Sequence, residues 1–130
     1  MKKWMLKALI QKTISVLPFS FEINYFFQKN ITKAVSVNET FFFELILEGN
    51  KLLEQLDKEN KDLKQLSFLE LGTGWHPILP IYFYLCGAKN ICTIDLNNHL
   101  RKENLLDLFK LFIKQYEANK LSSFVLEERI

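Results

Sequence analysis

The sequence is poor in the residues that build metal and disulfide sites. Cys86 and Cys92 are the only cysteines in 130 residues. They form no CxxC pair and no zinc spacing, so neither a zinc ribbon nor a redox motif is readable. Both fall in segments that read as buried, where cysteine behaves as a small hydrophobe. A reduced, cytoplasmic setting is the expectation. His76 and His99, taken with Glu70 and Asp95, match no metal-ligand spacing, so no metal is expected. No apolar run approaches the roughly 18 residues of a membrane-spanning helix. The start, Met1-Lys2-Lys3-Trp4, imitates a signal peptide, but Lys7, Gln11 and Lys12 interrupt any apolar core. No dense Lys/Arg run with interleaved aromatics occurs, which argues against a nucleic-acid partner. Internal repeats and low-complexity linkers are absent.

What the chain does have is a globular composition, 48% hydrophobic and 25% charged, in one domain's worth of residues or less. Phenylalanine is abundant, with 12 residues, seven of them in Phe19–Phe27 and Phe41–Phe43, so the N-terminal part needs something large to pack against. The net charge of +2 is uneven: six lysines against Glu22 give residues 1–33 a local +5, leaving −3 for the remainder.

The stretch Ser67–Trp75, S-F-L-E-L-G-T-G-W, organises the chain. Phe68, Leu69 and Leu71 make a short apolar strand that ends in a glycine turn. Gly72 and Gly74 allow backbone angles and close ligand approach that a Cβ would forbid. Pro77 suits the first position of a following helix, where its missing N–H is no loss. A second apolar strand, Asn90–Ile94, ends in Asp95, twenty-one residues after Gly74. Strand, glycine turn, helix, strand and terminal acid form the first unit of a nucleotide-binding α/β fold.

Glu70-Leu71-Gly72-Thr73-Gly74, with Asp95 beyond the second strand, resembles motif I and the following acidic residue of class I S-adenosylmethionine-dependent methyltransferases. The resemblance covers Phe68 to Leu100, and His76 stands where the family has a third glycine. It implies that Glu70 faces the amino-acid end of S-adenosyl-L-methionine, that Gly72, Thr73 and Gly74 approach the ligand as backbone, and that Asp95 accepts the ribose hydroxyls. His76 would cover the methionine end and Leu96 would flank the adenine. Physical chemistry separates this ligand from a dinucleotide. Pro77, at the third glycine position of Gly-x-Gly-x-x-Gly, offers no N–H, and Glu70 would repel a pyrophosphate but suits a cation.

Elsewhere the chain reads as helices. Residues 3–17 form an amphipathic one, with Leu6, Ile10, Ile14 and Leu17 on one face beside Met5, Leu9 and Val16, ended by Pro18. Packing on the domain or a partner is its favoured role; contact with a membrane surface is the less favoured one. A second short helix spans Phe21–Lys29. Ser36-Val37-Asn38-Glu39 fits a capping box for a long helix to Asp57, carrying Phe42, Leu45, Ile46, Gly49, Leu52, Leu53 and Leu56 at helical spacing. Lys58–Gln65 is a charged connector. The helix after Pro77 runs through Cys86, with Gly87 as C-cap. Asn97 or Asn98 caps a third helix over Leu100–Lys120, with Leu105, Leu108, Phe109, Phe112 and Ile113 as its buried face. Ser122–Ile130 has no clear assignment.

The expected architecture is α/β. An N-terminal helical extension spans residues 1–66, and a partial Rossmann-like domain spans 67–130, the first β-α-β-α part of a doubly wound sheet. The domain reads as incomplete, the cofactor-binding half of a methyltransferase acting on a small molecule or saccharide. No catalytic residue is assigned, and the oligomeric state is open. The alternative is a non-catalytic α/β remnant serving as an interaction module.

Overall fold

The computed structural model describes residues 3–31, 35–121, 123–126 and 129. Its contacts separate two compact units, residues 1–36 and 37–130, so the division falls before the long helix rather than after it.

In the first unit, α1 (Lys3–Ser15) packs on α2 (Ser20–Asn30). Pro18 lies in the turn between them, and Phe19 takes a left-handed φ of 62° at the start of α2. The amphipathic reading of the first helix holds only in part. Ile14 is buried, whereas Met5, Leu9, Ile10, Val16 and Leu17 are exposed; the side chain of Leu6 lies outside the described residues. A two-helix pair covers one stripe of each helix and leaves the rest to solvent. Phe19 and Phe26 are likewise exposed, contrary to the expectation that this phenylalanine-rich stretch is packed away.

The second unit is a mixed α/β arrangement. Its order is α3 (Glu39–Lys58), a short 3-10 turn (Leu63–Gln65), β1 (Ser67–Leu71), α4 (Ile78–Leu85), β2 (Asn90–Ile94) and α5 (Lys102–Glu117). β1 and β2 pair in parallel, with Ser67 opposite Asn90 and Leu71 opposite Ile94. With the two helices of the first unit, the described residues hold five α-helices and a two-stranded parallel sheet. None of the described helices is long and apolar enough to cross a membrane.

Three helix faces meet in one core: Phe42, Ile46 and Leu53 of α3, Ile78, Tyr82 and Phe83 of α4, and Leu108 and Phe112 of α5. The Phe42 and Phe112 rings meet edge to face at 4.9 Å, and Phe68 of β1 stacks on Phe83 at 4.6 Å. The Tyr82 hydroxyl donates to Asn50 Oδ1, so the largest buried side chain keeps its polar end satisfied.

Several local expectations shift. The cap of α3 is Asn38, not Ser36: Asn38 is extended, and its side chain accepts the Thr40 N–H at 2.8 Å. Glu39 therefore does not reach back to a capping box but meets Lys114 of α5 at 2.7 Å. Pro77 is the N-cap of α4 rather than its first residue, and its carbonyl accepts the Ile81 N–H. Gly87 ends that helix at a φ of 108°, as expected. Neither Asn97 nor Asn98 caps α5, which starts after an extended Arg101 with no side-chain cap. Its buried face is Asn104, Leu108, Phe112 and Gln115, so Phe109 and Ile113 stand exposed on the flank.

Both strands alternate exposed and half-buried residues. Phe68, Glu70, Ile91 and Thr93 share the covered face. Leu69, Leu71, Cys92 and Ile94 share the open one, which is why Cys92 is exposed although it reads as buried. Cys86 is buried, and burial pushes its thiol up to about 11.

Candidate functional site

The site sits at the C-terminal ends of the two parallel strands, where open α/β sheets present their crevices. The Gly72 N–H donates to the Ile94 carbonyl at 2.7 Å, extending the ladder one step past β1. The chain then turns through φ 81° at Gly72 and 65° at Gly74. A Cβ on either would meet nothing within 4 Å. These glycines are required for their angles, and the space above them is open.

Asp95 closes the turn from the other strand. Its Oδ2 accepts the Gly74 N–H at 2.8 Å and its Oδ1 accepts the Asn97 N–H at 3.1 Å. These two bonds hold its carboxyl below the usual carboxylate range, Gly74 contributing most, with His99 adding charge attraction. His99 Nε2 lies 4.0 Å from Oδ1, and its ring packs against Trp75 at 4.4 Å.

Thr73, Gly74, Asp95 and Leu96 of the expected set line one crevice of about 250 Å³, together with Asn97 and His99. Leu96 is fully exposed at its mouth. Glu70 is not in that crevice. It lines a neighbouring one of about 290 Å³ with Phe68, Leu71 and Leu79, close enough for the Asp95 charge to act on it. Gly72 lies on the backbone between the two, and His76 lines neither. Burial is the main force pushing the Glu70 carboxyl up; the nearby Thr73 hydroxyl opposes it and the Asp95 charge adds to it. Glu70 Oε2 and Thr73 Oγ1 are buried, and neither makes a hydrogen bond of sound geometry among the described residues.

No protein-family model, curated protein or solved structure matches the chain. The chemistry of the site is therefore read from its own groups. A carboxylate offers about four lone-pair positions. Asp95 uses two of them on backbone N–H groups, leaving two for hydroxyl donors in the crevice. Glu70 Oε2 and Thr73 Oγ1 have lone pairs that no described residue engages with sound hydrogen-bond geometry, which suits a cationic or N–H-bearing group. These groups could hold a ligand that offers hydroxyl donors to Asp95 and a cationic or N–H-bearing end to Glu70 and Thr73. Among the described residues no group of His, Cys, Asp and Glu could hold a metal ion.

The role of Asn97 and the packing of Trp75 on His99 are not expectations of the sequence. Asp95 followed two residues later by Asn97 is the one available signal, since an Asp side chain commonly accepts the N–H two positions on.

Proposed function

We propose that this chain carries the cofactor-binding half of an S-adenosylmethionine-dependent methyltransferase, built on the first β-α-β-α part of a doubly wound, Rossmann-like sheet. One observation carries the reading. The Asp95 carboxylate and the Gly72–Gly74 turn, from different strands, are tied into a single site by the Gly74–Asp95 hydrogen bond. Glu70 supports it as a half-buried acid beside that site, with one buried oxygen that has no partner of sound geometry among the described residues. When bound, the cofactor supplies an already activated methyl group. Asp95 orients the ribose, Glu70 and Thr73 receive the amino end, and the glycine turn admits the ligand close to backbone. The reading gives these residues a binding role and none of them a proton-transfer role; the acceptor is a small molecule or saccharide held by other parts of the enzyme.

A second reading, a non-catalytic interaction module, is favoured by the open sheet face of Leu69, Leu71 and Ile94. Isothermal titration separates the two. Binding of S-adenosylmethionine and S-adenosylhomocysteine without binding of NAD supports the methyltransferase. A folded chain that ignores all three ligands supports the module, and a response to NAD alone overturns the cofactor assignment.

A further inference from the structure

A larger cavity lies away from the glycine turn, between α4, β2 and α5. It encloses about 640 Å³, within the roughly 300–1,000 Å³ of small-molecule sites. Its existence follows from the register of α5. That helix turns Leu108 and Phe112 into the core, so Phe109 and Ile113 face the flank of β2 without reaching it. Pro80 and Ile81 of α4 and Ile91 of β2 complete an aliphatic and aromatic wall.

One end of this cavity is cationic. Lys89, just before β2, and Arg129 both line it, and among the described residues no acidic side chain does. Arg129 is fixed rather than adrift: Nη1 donates to the Tyr84 carbonyl at 2.7 Å and the Ala88 carbonyl at 3.3 Å, and the guanidinium lies 4.6 Å from the Tyr84 ring centre. Those bonds use one of its nitrogens and leave a fork of donors. Among the described residues no carboxylate forms an ion pair with either cation. From Lys89 to Thr93 the strand spans about 13 Å at roughly 3.3 Å per residue. The lining thus runs about that distance along β2, apolar along Ile91, Phe109 and Ile113 and carrying two cations, Lys89 and Arg129, that have no carboxylate partner among the described residues.

We propose that this cavity binds a single-chain amphipathic anion, a medium-length aliphatic carboxylate whose head meets Lys89 and Arg129 and whose tail lies along Ile91, Phe109 and Ile113. Its volume, wall and charge carry the proposal independently of the methyltransferase reading.

Titration of the full chain with dodecanoate and with dodecanol, both below their aggregation concentrations, tests it. One dodecanoate per chain is expected, with dodecanol at least about tenfold weaker, the scale of one charge-assisted hydrogen bond. Lys89→Gln removes an exposed cation that forms no ion pair among the described residues, and should weaken dodecanoate several-fold while leaving dodecanol unchanged. Ile113→Trp, at a half-exposed position, should fill the cavity and abolish both. Circular dichroism checks that each variant is folded. Equal affinity for the acid and the alcohol, indifference to Lys89→Gln, unimpaired binding by Ile113→Trp, or no dodecanoate binding by the folded chain would each overturn the proposal.

Discussion

Asp95 accepts the Gly74 amide at 2.8 Å across twenty-one residues of chain. This bond joins the two strand ends into one crevice, and it makes Asp95 at once a structural anchor and the strongest candidate for holding a ligand.

The two roles separate on mutation. Asp95→Ala should weaken S-adenosylmethionine at least about tenfold, since two charge-assisted hydrogen bonds are lost together. The far-ultraviolet circular dichroism should stay that of the parent, because the core of α3, α4 and α5 does not involve this residue. Asp95→Asn, which keeps one oxygen acceptor, should fall between the two. An unchanged dissociation constant in folded Asp95→Ala would reduce Asp95 to its anchoring role.

At Gly49, α3 packs directly against α4. An added Cβ would lie 2.9 Å from Tyr82 Cδ1, 3.1 Å from Cε1 and 3.2 Å from Leu79 Cδ2. The Tyr82 ring cannot swing away, being fully buried and tied to Asn50. Overpacking of this kind costs about 1–3 kcal/mol, while alanine regains roughly 0.5–1 kcal/mol of helix propensity over glycine. Gly49→Ala should therefore lose about 1 kcal/mol net, a fall of roughly 4–8 °C in Tm for a unit of this size. Differential scanning calorimetry checks it; a rise in Tm would mean that the two helices part without cost.

How much of this was readable in the sequence depends on how local each cause is. Strand β2, the turn at Gly72 and Gly74, and the C-cap at Gly87 are set by neighbouring residues, and all three lie where the sequence puts them. The cap of α3 lies two residues beyond the one the sequence favours, because Ser36 and Asn38 are both competent caps and only backbone conformation chooses between them. The face of α5 is a tertiary choice. Its apolar stripe is wide, and contact with Phe42 selects Leu108 and Phe112 while drawing Asn104 and Gln115 inside. Glu70 and Asp95 were legible as acids at strand ends, but not that they would face different crevices.

The same two acids predict opposite pH dependences. The folded chain raises Glu70 above its ordinary value of 4.5, so it holds that proton more tightly than the unfolded chain does. Its contribution to stability is present below 4.5 and is lost as pH rises through the raised folded value. Asp95 is lowered below 3.8, so its contribution is present above 3.8 and lost as pH falls through the folded value. Glu70→Gln should raise Tm at neutral pH and flatten the decline above 4.5. Asp95→Asn should lower Tm at neutral pH and remove the loss below 3.8. Thermal unfolding across the acid range measures both. A lower Tm for Glu70→Gln at neutral pH would mean that the ionised carboxylate gains more from its neighbours than burial costs it.

The open face of the sheet sets the behaviour of the chain in solution. Leu69 is 61% exposed, Leu71 74% and Ile94 54%, side by side on paired strands. Fully burying such a side chain contributes about 1.5–3 kcal/mol, so three that are more than half exposed leave roughly 3–5 kcal/mol of burial unrealised per chain. Two faces packed together would recover roughly twice that, against about 4–15 kcal/mol for the lost freedom of association. The balance lies near zero, so association should be weak, reversible and concentration-dependent, with no fixed stoichiometry imposed by this face alone. Size-exclusion chromatography with light scattering should show the mean mass climbing with protein concentration. The triple variant Leu69→Lys, Leu71→Lys, Ile94→Lys should suppress that climb with little change in Tm, because none of these side chains belongs to the core. Parent protein that stays monomeric at every concentration and unfolds in one sharp transition would show that the second unit is stable with its sheet face bare.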